Sequence, residues 1–409
     1  MLKSSVEGAG SRPPLVTRPL LLRFVSIIGA STSFYLLLSV VPLYAEASAG
    51  GHGDAAGLAT GALMLATVGG ELATPRLVAR FGYRLVLGAG LVLLGAPAFA
   101  LSASGSAVGI ATVCALRGLG FAFTVVAGGA LTASLIPAER RGEGLALVGI
   151  VSGVPSLVAL PLGVWLAAHV GYGPVFAAGA VAALAAVVSV PGLPDREAAP
   201  GRDIGVTAGL RTAALLRPSL VFAATALAAG ILVTFLPLAV PSASAGVVAT
   251  ALFAQSAAST AARWVAGRHG DRHGPAALLL PGLAAAAGGT LLTALTHSPA
   301  VVVIAVALFG VGFGVVQNAT LTLMYARVPA SGYGTVSALW NLAFDAGMGV
   351  GAVGFGILAA RTGYPTAFAL TAAVMLTALV PALRDRGTED ARAAQSVAEA
   401  EEDRGSSGR

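Results

Sequence analysis

Pro75-Arg76-Leu77-Val78-Ala79-Arg80-Phe81-Gly82-Tyr83-Arg84 is a short basic stretch with a long apolar run on either side. A helix rising 1.5 Å per residue needs about 20 apolar residues to cross a bilayer core. The two flanking runs therefore read as spanning helices, and the arginines as the loop that joins them on one face. A second such loop, Gly267-Arg268-His269-Gly270-Asp271-Arg272-His273-Gly274, lies 192 residues further on, again between apolar runs.

The same offset brings other landmarks together. Gly118-Leu119-Gly120-Phe121 falls on Gly310-Val311-Gly312-Phe313, Pro137 on Pro329, and Gly171-Tyr172 on Gly363-Tyr364. The chain is a tandem duplication. Twelve spans are predicted, at roughly 20–44, 56–78, 83–103, 107–135, 143–168, 172–192, 218–240, 245–267, 275–296, 299–325, 334–360 and 364–383. Each copy holds six, an even number, so both copies enter the membrane in the same sense. The first run is about 25 residues long, beyond the usual signal-peptide core, and is read as a retained helix despite the cleavage-like Ala47-Ser48-Ala49.

Composition excludes a soluble protein. Of 409 residues, 56% are hydrophobic and 10% charged, with a mean hydropathy of +0.86. Soluble domains carry about 25% charged residues. The net charge of +6 is nearly all arginine, and the arginines collect in alternate loops. By the positive-inside rule both termini are cytoplasmic, and this placement explains the basic charge without nucleic acid. The predicted organisation is a cytoplasmic N-terminus (1–19), a six-helix bundle (20–193), a charged linker (194–217), a second six-helix bundle (218–386) and a disordered tail (387–409). The fold class is all-α: twelve transmembrane helices in two pseudo-symmetric bundles. The single Cys114 excludes an intrachain disulfide. No phosphate-binding Walker loop, metal cluster or cofactor motif is present, so neither an enzyme nor an ATP-driven pump is expected.

The second basic loop reads G-x-x-x-D-R-x-G through Gly267, Asp271, Arg272 and Gly274. The first keeps Arg80, Gly82 and Arg84 but has Pro75 and Ala79 at the glycine and aspartate positions. This pattern resembles the loop between helices two and three of the major facilitator superfamily, over residues 20–385. The resemblance implies a transporter whose halves rock about a central site. It also implies that helices three, six, nine and twelve are peripheral. Apart from Arg84 at the very start of the third, those four carry no charge within their predicted spans.

Charges inside spans mark function by default. Arg117, in Leu116-Arg117-Gly118-Leu119-Gly120, resembles the helix-four motif linked to proton transfer. Asn341 and Asp345, spaced i, i+4, share a face of the eleventh span, and Asp345 is the expected proton carrier. Glu71 and Arg263 are equivalent at the 192 offset, and their opposite charges could close the cytoplasmic side. Ser31, Thr32, Ser33, Tyr35, Gln317 and Asn318 are further candidates for the cavity. Gly149, Gly153 and Pro155 resemble the glycine- and proline-rich signature of proton-coupled exporters, with Val154 interposed.

These readings predict proton-coupled efflux of a small lipophilic or amphipathic organic compound, drug or metabolite, from a bacterial cell by a monomer. The partners are protons, the solute and lipid. Uptake of a nutrient and a non-transporting membrane sensor are the alternatives.

Overall fold

The computed structural model describes residues 16–49, 54–103, 105–136, 141–195, 209–240, 245–328 and 333–387. Every regular element among them is helical. Helix α1 is Arg18–Leu38, continued beyond a break at Ser39 by Val40–Ala49. Asp54–Gly95 is one run broken at Gly82, which divides it into α2 (54–81) and α3 (83–95). Then follow α4 (Ala107–Leu135), α5 (Arg141–Val170), α6 (Tyr172–Ala186), α7 (Ala213–Ala239), α8 (Ala245–His273), α9 (Leu279–Leu292), α10 (Pro299–Ala326), α11 (Tyr333–Thr362) and α12 (Tyr364–Leu376).

Among the described residues, ten helices are long and apolar enough to cross a membrane. That number takes 54–103 as one and omits α8. Dividing the first at Gly82 and adding α8 returns the twelve expected. The polar residues that keep α8 off the count include Gln255, Ser256, Ser259, Thr260 and Arg263. The predicted linker ends early: α7 begins at Ala213, which takes Arg217 into a helix.

The duplication is visible in the backbone. Positive φ occurs at four described residues, Gly82 (78°), Gly171 (82°), Gly274 (81°) and Gly363 (76°). Gly82 and Gly274 are 192 apart, as are Gly171 and Gly363. Helix crossings repeat too. Gly118 of α4 lies on the backbone of Leu63 in α2, and Gly310 of α10 on that of Gln255 in α8. Gly120 meets Gly90 and Leu94 of α3, while Gly312 meets Gly282 and Ala286 of α9. Small residues let membrane helices approach this closely where no hydrophobic force draws them together.

The halves meet along α2 and α11, and along α5 and α8. In the first seam Gly57 lies against Ala352, Gly61 against Val353, and Gly349 against Met64. Two hydrogen bonds reinforce it. Ser39 Oγ donates to the Val233 carbonyl of α7 at 2.7 Å, and the Thr60 and Thr234 hydroxyls are 2.9 Å apart. All these contacts lie at the end away from the basic loops, hereafter the outer end.

Among the loop and helix-end residues of the basic end, the described polar contacts stay within a half. Arg84 donates its Nε to the Leu193 carbonyl and its backbone N–H to Asp195. Arg327 donates to Asp385 at 3.0 Å and to the Ala214 carbonyl, with Arg217 3.9 Å from Asp385. The molecule is shut at the outer end.

Candidate functional site

Helix α2 runs inward from Asp54, so its seventeenth step reaches Glu71, about 25 Å along the axis. Helix α11 runs the other way, and its twelfth step reaches Asp345. The small residues of the seam bring the two axes close, and at its inner end the side chains of Glu71 and Asp345 are hydrogen-bonded to each other. Asp345 is 4% exposed, so it faces protein and not lipid. Ionised carboxylates only accept hydrogen bonds. The two acids can hold that bond only while one of them is protonated, and they do so at a point where the two halves of the molecule touch.

Tyr35 of α1 lies within electrostatic reach of both Asp345 and Arg263. Arg263 of α8 is half-buried and donates to Thr260 at 3.2 Å. The pairing of Glu71 with Arg263 expected from the repeat is not formed in this outer-closed arrangement, where Glu71 bonds Asp345 instead. Four central helices nevertheless converge here: α1, α2, α8 and α11.

One wall beside Asp345 is aromatic. Trp340 and Phe344 lie on one face of α11, both half-buried. Phe222 of α7 stacks on each, with centroids 4.3 and 5.8 Å away. Trp340 Nε1 reaches Thr320 Oγ1 at 3.4 Å. Asn341, Gln317, Asn318, Ser31 and Thr32 are all half-buried. Asn318 faces Gly267 of α8. The Gln317 amide oxygen is buried without a partner among the described residues.

Arg117 is elsewhere. It is 1% exposed, with Nε donating to the Leu94 carbonyl of α3 and Nη2 to the Ser33 carbonyl of α1, each at 3.1 Å. It is a carbonyl-bound arginine inside the first bundle, and the described ion pairs do not include it. Ser33 is fully buried beside it.

The helix-five residues Gly149 and Gly153 have open space where a Cβ would stand, so they do not serve close packing here. Pro155 is buried within α5. In the loops, Arg80 lies over the Phe81 ring, and Gly82 holds its positive φ with the Asp195 carboxylate 2.7 Å from where a Cβ would stand. Gly274 is its counterpart. The side chains of Asp271 and Arg272 lie outside the described residues.

Three buried charges escaped the sequence reading. Arg23, near the cytoplasmic start of the first predicted span, reads from sequence as one of the inside arginines. It is instead 4% exposed inside α1, donating to the carbonyls of Thr124 and Gly128 and to the hydroxyls of Thr132 and Ser26. Glu46, at the outer end of α1, accepts the Ala56 N–H. Asp385 closes the cluster with Arg217 and Arg327. All three lie near helix ends, where a charge in sequence looks like loop.

The family model for the Major Facilitator Superfamily matches residues 23–352, and matches again over 219–404. No curated protein is matched. Among solved structures, the nucleoside transporter NupG aligns with a TM-score of 0.69 at 15% identity, over 91% of this chain and 99% of its own. The human organic anion transporter MFSD10 aligns at 0.62 and 16%, over 91% and 100%. A mutant of the peptide transporter POT aligns at 0.70 and 14%, over 89% and 93%. At these identities the likeness is one of fold.

Proposed function

The chain belongs to the major facilitator superfamily and is a multi-pass membrane transporter, and on that footing we propose that it couples proton movement to export of a small lipophilic or amphipathic organic compound. The observation that carries the coupling is the meeting of Glu71 and Asp345 between the halves, a pair that can bond only while it holds a proton. Removing it leaves two carboxylates face to face. At about 4 Å and an effective dielectric constant of 20, that repulsion is roughly 4 kcal/mol. A term of that size shifts a two-state equilibrium between the gates by about three orders of magnitude. Protonation biases the halves toward the contact of α2 with α11, and deprotonation biases them toward its opening; neither state locks them.

The half-buried aromatic face of Trp340 and Phe344 supports a solute with an apolar body. Tyr35, Asn341 and Gln317 supply the few polar groups that would orient it. Arg117, bound to carbonyls, contributes by fixing α1 against α3. The helix-five glycines favour the outward direction through the exporter resemblance. The three solved transporters are those of a nucleoside, an organic anion and a peptide, and do not select a solute for this chain. The membrane is the bacterial plasma membrane, with both termini inside.

The test is a susceptibility panel of unrelated drugs in a bacterial host deprived of its own pumps, with and without a protonophore. Raised tolerance that the protonophore abolishes is the expected result. Tolerance unaffected by the protonophore would remove the proton from the mechanism.

A further inference from the structure

Carboxamide side chains are few in this chain and gather in one half. The sequence has two asparagines and three glutamines. Four of the five, Gln255, Gln317, Asn318 and Asn341, stand on α8, α10 and α11 of the second half; the first half has none. At the 192 offset their places are held by Leu63, Val125, Val126 and Gly149. The fold builds the same helices without them.

Two of these amides are unsatisfied. The Oε1 atoms of Gln255 and Gln317 are buried with no hydrogen-bond partner among the described residues. Buried hydroxyls of this bundle donate to a carbonyl one turn back, as at Thr67 and Thr290. An amide oxygen only accepts, and the N–H groups inside a helix are already engaged. Its donor has to come from outside the helix. For Gln317 the surroundings say what brings that donor. Phe313 and Thr320 lie one turn before it and one turn after it on α10. The Phe313 ring is 6.0 Å from Phe222 and 6.2 Å from Phe344, and Thr320 meets the Trp340 indole. Gln317 shares that face, so its amide stands beside the aromatic wall. Charge in the site is balanced. Glu71 and Asp345 hold at most one negative charge while bonded, and Arg263 faces the same Tyr35 as Asp345.

Building on the transport reading above, we propose that the second half selects the solute, and that the solute is an uncharged aromatic compound with an N–H beside a carbonyl, an imide or lactam edge, which donates to Gln317. A carboxamide accepts from such an N–H and can donate to the neighbouring carbonyl, as a permanent cation without N–H cannot match. Gln255, about 12 Å outward of Arg263 along α8, offers the same acceptor further along the exit path. The first half supplies Glu71 and no carboxamide, so coupling and recognition are divided between the halves.

The probes are 1,8-naphthalimide and N-methyl-1,8-naphthalimide, which differ in that one N–H. Each is titrated by its fluorescence into the full chain in nanodiscs, with empty nanodiscs subtracted and no gradient present. The imide with N–H should bind about tenfold tighter or more, the value of one hydrogen bond left unmade in a buried site. Gln317→Leu, alone or with Gln255→Leu, should bring the two affinities within about twofold by weakening the N–H compound alone. Tetraphenylphosphonium, an aromatic cation without N–H, should not displace the imide. The pair of ligands on the unaltered protein decides the matter if the variants fold poorly. Equal binding of the two imides, no detectable binding of the N–H compound, or its displacement by tetraphenylphosphonium would each overturn the proposal. Equal binding alongside protonophore-sensitive drug tolerance would sink this inference and spare the coupling; a tenfold preference without that tolerance would do the reverse.

Discussion

Asp345 and Arg117 are both charged groups buried in a helix bundle, and they are held in different ways. Asp345 meets a second acid through a proton; Arg117 meets two carbonyl oxygens. Asparagine at 345 keeps a hydrogen-bond donor for Glu71 but no longer titrates. In reconstituted liposomes Asp345→Asn should therefore stop solute movement driven by a pH gradient, down to the rate of empty vesicles, while solute counterflow continues. Loss of both would mean that Asp345 binds solute and is no proton carrier. Arg117→Lys keeps the charge but gives up the planar fork that spans Leu94 and Ser33. One hydrogen bond to a charged group is worth about 1.5–3 kcal/mol, so a lower melting temperature in detergent is expected, with coupling intact once the protein is folded. The sequence displayed both residues, because a charge inside an apolar run stands out. It could not display their partners. Glu71 and Asp345 are 274 positions apart, and the repeat matched Glu71 to Arg263. Pseudo-symmetry relates places in the two halves; it does not say which places touch.

Helix crossings in this molecule are made by glycine meeting backbone. At Gly120 a methyl group would run into the backbone of Leu94 and Gly90, and at Gly312 into that of Ala286 and Gly282. Neither neighbour can rotate away, as a side chain could. Overpacking of this kind costs about 1–3 kcal/mol, so Gly120→Ala and Gly312→Ala should each lower the melting temperature of the purified protein. Gly288 and Gly354 have nothing within 4 Å of a Cβ position. Alanine there should be neutral or raise stability by up to about 1 kcal/mol through helix propensity. Equal effects at all four sites would argue that these crossings are looser than they look. The paired glycines were legible as a repeat, and 245–267 was read as one of the apolar spans, although Ala245–His273 falls short of the others in apolarity. The loop after α2 was legible only as a turn. Its compression to the single break at Gly82, with Asp195 against it, depends on a residue 113 positions away.

At the scale of the whole molecule, alternating access requires the outer seam to open in every cycle. The seam offers a direct test at Gly61 and Val353. A Cβ built on Gly61 stands 3.8 Å from the Cβ of Val353. Disulfides place their Cβ atoms about 3.5–4.5 Å apart. The variant Gly61→Cys, Val353→Cys, Cys114→Ser should therefore oxidise to a crosslink between the halves. It does so without the basic end having to move, because the described contacts there stay within each bundle. The oxidised protein should be unable to open outward, so net transport and counterflow should both cease, and dithiothreitol should restore them. Asp345→Asn differs from this, since it spares counterflow; the two variants separate the proton from the gate. Binding of solute from the cytoplasmic side should survive the crosslink, since alternating access presents the site inward while the outer seam is shut. Full transport by the oxidised protein would place the moving boundary somewhere other than α2 and α11, and the shared proton would then sit beside a joint that never opens.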